Sequence, residues 1–152
     1  MLKALEALFD NPLFKTNVKF GSRKYRPNDV VVAEGKIHNF IYLIKSGSVK
    51  VQVSGTTDAK KAIRPGVANL GPDEMIGELG LFDNLPASAD VVAAQESEII
   101  EIDIPSFLKF LENNPQLGYK VLYEMTQVIT KRLRHANETI IRLLAAQAGR
   151  LL

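Results

Sequence analysis

The middle of the chain consists of short apolar runs separated by turn residues. Runs rich in Val and Ile favour strands, and the Gly and Pro between them mark turns. Five strands are predicted between residues 18 and 103: Val30 to Ala33, Phe40 to Ile44, Val49 to Val53, Val91 to Ala94 and Ile99 to Ile102. Short strands divided by such turns are typical of a β-sandwich or barrel.

Apolar positions at both ends have helical spacing. Leu2 to Phe9 predicts a short helix, and Pro105 can begin a brief helix that runs through Leu111. Asn114-Pro115 then restarts a helix that meets no breaker before Gly149. The strands and short helices predict a body over residues 1–114, and the long helix over 115–152 belongs to the same unit.

The long helix carries an apolar seam whose positions alternate four and three apart, as in a coiled coil. These positions are Leu122, Thr126, Ile129, Leu133, Ala136, Ile140, Leu143 and Gln147. A helix of about 34 residues spans roughly 50 Å, whereas a body of about 114 residues has a radius of gyration near 13 Å. The helix therefore extends beyond its own body. We expect a homodimer in which a second copy covers the seam at Ile129, Leu133, Ala136, Ile140 and Leu143.

Composition excludes several classes of protein. The 152 residues include no cysteine, which excludes disulfides, a thiolate nucleophile and a Cys-based metal site. His38 and His135 lack metal-type spacing, and no paired-carboxylate or Ser/His/Asp pattern is found. We therefore predict no metal, no catalytic residue and no enzyme activity. No apolar stretch is long enough for a membrane span and no signal sequence precedes the body, which predicts a cytoplasmic protein that does not contact membranes.

Candidate binding chemistry lies between residues 70 and 94. Gly77 and Gly80 allow a ligand close to the backbone, and the segment after Gly80 can form one helical turn with free N–H groups at its start. Glu78, between the glycines, offers a carboxylate that can accept hydrogen bonds from hydroxyls. Ser88 adds a hydroxyl. These residues predict a phosphate-sized site.

The sequences Gly77-Glu78-Leu79-Gly80-Leu81-Phe82 and Pro86-Ala87-Ser88-Ala89 resemble the phosphate-binding cassette of cyclic nucleotide-binding domains, in particular the catabolite activator protein family. The likeness extends to the segments 25–35 and 41–51 and to the long helix after Asn114-Pro115. It implies a mainly β fold with α elements: a double-stranded β-helix or jelly-roll barrel with a short N-terminal helix and a long C-terminal dimerisation helix.

The resemblance also assigns ligand-binding residues. Glu78 corresponds to the acceptor of the ribose 2′-hydroxyl, Ser88 to the phosphate-contacting hydroxyl, and the amides around Gly77, Glu78 and Ser88 to the backbone cradle. Leu79 is a further ligand-binding residue of the cassette. Ala87 stands where the family has the Arg that pairs with the cyclic phosphate. Asn137 lies where a residue of the dimer partner reaches over the base, and an amide can bind an adenine edge.

Two points stay open in the sequence. Asp90 shares strand parity with Ser88, so its carboxylate either opposes an anion or is turned to solvent by twist or a bulge. Lys60, Lys61 and Arg64 either supply the missing positive charge or form a solvated hairpin.

The predicted function is a non-enzymatic ligand-sensing regulatory module. It would bind cyclic AMP, cyclic GMP or a related small anion, hold no cofactor, and couple the ligand to dimer-helix packing and an unknown downstream protein. Regulators of this family carry a helix-turn-helix after the long helix, whereas this chain stops at Leu152, so DNA binding by the chain alone is not expected. The alternatives are a dimerising interaction scaffold with a degenerate, ligand-free pocket, or the sensor fragment of a longer regulator.

Overall fold

The computed structural model describes residues 3–53 and 66–149. Within these ranges, eight strands form two antiparallel four-stranded sheets. The first sheet has the order β1-β8-β3-β6, with β1 Phe20–Tyr25, β8 Ser97–Asp103, β3 Phe40–Ser46 and β6 Met75–Ile76. The second has the order β2-β7-β4-β5, with β2 Val30–Val32, β7 Asp90–Ala93, β4 Val49–Gln52 and β5 Gly66–Leu70. The mainly β fold with α elements is confirmed.

The pairing of β3 with β8 fixes which side chains face each layer. Ile41 opposes Ile102 and Ile44 opposes Ile99 in this register. Successive side chains of a strand point to opposite faces. Ile41 and Ile102 accordingly pack in an apolar core with the helices, whereas Ile44 and Ile99 pack in a second core with the other sheet. The first sheet thus lies between the helices and the second sheet.

Five helices complete the described part of the chain: α1 Lys3–Leu8, α2 Pro12–Asn17, α3 Glu78–Asp83, α4 Ile104–Asn113 and α5 Pro115–Ala148. Leu5 and Leu8 of α1 are buried, as their spacing predicts. Asp103 caps α4 by accepting a hydrogen bond from the Ser106 backbone N–H at 3.0 Å. No helix of the described ranges is long and apolar enough to cross a membrane.

The sequence analysis missed several elements. Helix α2 begins after Asn11, whose side chain accepts hydrogen bonds from Leu13 N and Phe14 N. Strand β1 shows no apolar alternation, because in its six residues only Tyr25 is buried. Strand β6 has two residues, which is too short for a periodic signal, and β5 was also not predicted.

Helix α5 has an amino-terminal half that packs on the body and a carboxyl-terminal half that does not. Val121 and Met125 are buried against α1 and α4, and Glu124 Oε2 accepts a hydrogen bond from Ala4 N at 2.8 Å. Every residue from 133 to 149 is exposed. Leu122, the first position of the predicted seam, is partly buried against the core of its own chain. The uncovered seam therefore begins further along the helix than the sequence suggested.

Candidate functional site

A cavity of about 250 Å³ lies between the second sheet and the turn that joins β6 to α3. Its volume is slightly below the range of about 300–1,000 Å³ that is usual for small-molecule sites. Five of the six predicted ligand-binding residues line it: Gly77, Glu78, Leu79, Ala87 and Ser88. Its apolar wall is formed by Val32, Val51, Leu70, Ile76, Ala89 and Val91. The structure thus brings the two halves of the predicted cassette to one cavity.

The turn into α3 depends on Gly77. This residue has φ +82°, which is unfavourable for a residue with a Cβ. A Cβ there would also lie 2.8 Å from both the Phe40 carbonyl oxygen and His38 Cε1. The helix begins at Glu78, so the expectation of a helical turn starting after Gly80 is wrong. Gly80 lies inside α3, whose N-cap is the left-handed Gly77.

We expect Gly77→Ala to lower the free energy of unfolding by about 2–4 kcal/mol, since left-handed strain adds to a steric clash. Gly80→Ala is the matched control, because its Cβ would lie 3.4 Å from His38 Cε1, in near-ordinary contact, and Ala suits a helix. The control should stay within about 1 kcal/mol of the wild type. Urea unfolding of the three proteins measures both effects. Equal losses in the two variants would contradict the proposed role of the turn.

An ion pair joins the cassette to the long helix. Glu78 is buried, with 8% of its side chain exposed, and its Oε1 lies 2.5 Å from Arg132 Nη1. Arg132 Nη2 also donates a hydrogen bond to the Met75 carbonyl oxygen at 2.5 Å. A buried carboxylate requires such a partner. Arg132 was not among the predicted site residues, although it follows Val121, Met125 and Val128 on the face of α5 that packs on the body.

The backbone of Ala87 is fully engaged. Its N–H donates to the Lys36 carbonyl at 2.9 Å, and its carbonyl accepts from Gly35 N at 2.8 Å. Its methyl group packs at the edge of the core between the two sheets. Ser88 is exposed and lines the cavity. Position 87 therefore contributes no charge to a cavity that its side chain borders.

Two of the remaining candidates, Asp90 and Asn137, do not line the cavity. Asp90 Oδ1 accepts a hydrogen bond from Glu34 N at 2.7 Å, and Asp90 does not line the cavity. Asn137 is exposed on α5 and is likewise absent from the cavity wall of the single chain. Lys60, Lys61 and Arg64 lie outside the described residues.

Two aromatic side chains border the β6–α3 turn from the side of β3. The His38 and Tyr42 ring centroids are 5.7 Å apart, and His38 Nδ1 lies 2.9 Å from the Phe40 carbonyl oxygen. Burial raises the pKa of Tyr42 to about 12, and the nearby Glu101 carboxylate adds to the rise. Tyr42 is therefore an uncharged phenol at neutral pH. Within residues 3–53 and 66–149, no cluster of three His, Asp or Glu side chains could hold a metal ion.

Comparison with known proteins agrees with this geometry. The family model described as the cyclic nucleotide-binding domain matches residues 22–114. The chain belongs to this family. Cyclic nucleotide-binding domains of this type are regulatory and not catalytic.

Relatives with this domain are otherwise diverse. The chain is 30% identical over 111 residues to cyclic GMP-binding protein C of Dictyostelium discoideum, a match that covers 73% of the chain and 4% of that protein. It is 25% identical over 118 residues to the cyclic AMP receptor protein of Thermus thermophilus, covering 78% of the chain and 51% of the receptor. Glutaminase 2 of Bradyrhizobium diazoefficiens is 28% identical over 139 residues, 91% of the chain and 21% of the glutaminase. The chain thus spans about half or less of each relative.

Solved structures match the fold. A cyclic nucleotide-binding domain from Methylobacillus flagellatus has a TM-score of 0.71 at 26% identity, over 80% of this chain and 66% of that one. The catabolite activator protein of Thermus thermophilus has a TM-score of 0.70 at 21% identity, over 93% of this chain and 59% of that one. The two antiparallel sheets and the long carboxyl-terminal helix are therefore those of a cyclic nucleotide-binding domain.

Proposed function

We propose that this domain is a ligand-sensing module in which a cyclic nucleotide, or a related small anion, controls the packing of α5. The observation that carries the proposal is the Glu78–Arg132 ion pair. Glu78 is the residue that the cassette resemblance assigns to a ribose hydroxyl, and Arg132 belongs to the long helix. One contact thus links the binding cavity to the element that extends beyond the body.

Competition for one carboxylate gives the coupling its mechanism. A ligand hydroxyl that donates to Glu78 Oε1 would compete with Arg132 Nη1 for the same oxygen. Arg132 is the last α5 residue before the fully exposed stretch. A ligand can shift a conformational equilibrium only through different contacts in the two states. The ligand would therefore loosen or redirect Arg132 and change how α5 leaves the body.

The partner of the exposed half of α5 would be a second copy of the chain. Leu133, Ile140 and Leu143 are each more than half exposed, at 60%, 54% and 63%. They follow coiled-coil spacing, so a parallel copy can bury them together with Ile129 and Ala136. Asn137 lies on this half of the helix, from which it could reach the partner's ligand as the family resemblance implies.

Amide hydrogen exchange with and without cyclic AMP or cyclic GMP tests the coupling. Ligand at 100 times its Kd should stabilise the protein by about 2.7 kcal/mol, and exchange in α5 around residue 132 should change. Arg132→Gln should still bind ligand, yet its α5 exchange should no longer respond. Lys131→Gln, an adjacent exposed cation, is the matched control and should behave as the wild type. Ligand binding that leaves the hydrogen exchange of wild-type α5 unchanged would contradict the coupling.

The second candidate is a dimerising interaction scaffold with a ligand-free pocket. It is favoured by one observation: Arg132 already satisfies Glu78 while Ala87 supplies no cation. It predicts no stabilisation by either nucleotide, with dimerisation intact. Because the relatives are longer than this chain, either function can also belong to a sensor segment of a longer regulator.

A further inference from the structure

His38 lies in the loop before β3 and lines the binding cavity. Its Nδ1 is 2.9 Å from the Phe40 carbonyl oxygen, which can only accept a hydrogen bond. Nδ1 must therefore carry the proton of the neutral ring. The other nitrogen, Nε2, is then an acceptor when the ring is neutral and a charged donor when it is protonated.

The Nε2 edge of the ring faces the β6–α3 turn. A Cβ built on Gly80 would lie 3.4 Å from His38 Cε1 and 3.7 Å from Nε2, and both His38 and Gly80 line the cavity. Among the described residues, Nε2 has no hydrogen-bond partner, whereas Nδ1 is engaged. The unengaged nitrogen thus lies beside Gly80, inside the segment 77–82 that resembles the phosphate-binding cassette.

The charged side chains of the described cavity wall leave no cation free for an anionic ligand. The charged side chains of the described cavity wall are Glu78, Asp83 and Arg132, which amount to two carboxylates and one guanidinium. That guanidinium is bound to Glu78 and to the Met75 carbonyl, and Asp83 accepts from Leu85 N at 3.0 Å. The Tyr42 phenol beside His38 is uncharged, because burial raises its pKa to about 12. With a neutral imidazole the described wall has one net negative charge, which an imidazolium cancels.

We propose that His38 contacts the ligand and that its imidazolium supplies the positive charge that Ala87 does not. This inference rests on the proposed function, since it concerns the same cavity and a nucleotide anion. The residue that makes the proposed contact, His38, lies outside the cassette. Binding of the anion takes up a proton, so affinity is greatest where the imidazole is protonated and falls as pH rises through its titration range.

The test compares cyclic AMP binding by calorimetry at pH 5.5, 7.0 and 8.5. Wild-type affinity should rise by about tenfold or more from pH 8.5 to 5.5, the gain expected for one charge-assisted hydrogen bond. The cyclic AMP affinity of His38→Gln should not change with pH and should stay near the wild-type affinity measured at pH 8.5. The chain has two histidines, so His135→Gln, on the exposed half of α5, is the matched control and should keep the wild-type profile.

Two further measurements keep the outcomes distinct. Adenosine, which has no phosphate, should bind without this pH dependence. In the unmodified protein, the imidazole resonance that is retained in His135→Gln, and therefore belongs to His38, should titrate at higher pH when cyclic AMP is bound. This measurement does not require the His38 variant to fold. Cyclic AMP binding that is equally tight at every pH would overturn the role of His38 and leave the proposed function intact. Absence of cyclic AMP and cyclic GMP binding at every pH would overturn both.

Discussion

Ala87→Arg is expected to strengthen cyclic AMP binding by about thirty-fold to several-thousand-fold. This range corresponds to about 2–5 kcal/mol, the usual effect of losing one member of a buried charge pair. Arg suits the position because its planar donors bind phosphate oxygens in pairs. The substitution leaves the backbone bonds of Ala87 to Gly35 and Lys36 unchanged, and its aliphatic stem can lie on the adjacent apolar core.

Titration calorimetry on the wild type and the variant measures this effect. Ala87→Gln, which is long and polar but uncharged, is the control and should gain far less affinity. Tight cyclic AMP binding by the wild type would mean that another cation already serves the phosphate, with His38 and Arg64 the first to test. If neither protein binds, the cavity has lost more than one ligand contact and the scaffold function is favoured.

The double variant Leu133→Lys/Ile140→Lys should abolish dimerisation. Both side chains are more than half exposed in the single chain and lie on the same seam, so a dimer would have to bury two lysines in each copy. Light scattering at tens of micromolar, by rough estimate above the Kd of a moderate dimer, should give a dimer for the wild type and a monomer for the variant.

The control for this variant is Ile141→Lys. Ile141 is 65% exposed on the same helix but lies outside the predicted seam. It should therefore leave the dimer intact. A monomeric wild type would show that the apolar spacing of α5 serves another partner, and dissociation by Ile141→Lys as well would show that the contact is broader than one seam.

Much of the fold could be predicted because strong local signals coincide with its elements. The Val- and Ile-rich runs became β2, β3, β4, β7 and β8, and Asn114-Pro115 marks the start of α5. Helix α2 also has such a signal, Asn11 followed by Pro12, which the sequence analysis did not use. Strand β1 has none, because its position at the edge of a sheet comes from pairing with β8 about 75 residues away.

The sequence predicted only those site residues that lie close together in the chain. The cassette residues from Gly77 to Leu79 and at Ala87 and Ser88 form one motif and line one cavity. Arg132 is 54 positions from Glu78, and His38 approaches the same turn from the preceding part of the chain. Both contacts depend on how α5 and β3 pack against the cassette. No residue spacing in the sequence predicts that packing.

Because α5 is fully exposed beyond Arg132, a small tilt of the helix at Arg132 would be amplified along its exposed half. From Arg132 to Ala148 there are 16 residue steps, or about 24 Å of helix at about 1.5 Å per residue. A tilt of about 10° at Arg132 would move the far end by about 4 Å, roughly three quarters of the 5.4 Å rise of one helical turn. If the ligand tilts α5 at Arg132 as proposed, the end of the helix would move by a distance comparable to the size of a side chain. A partner that binds there could detect the ligand without touching the cavity.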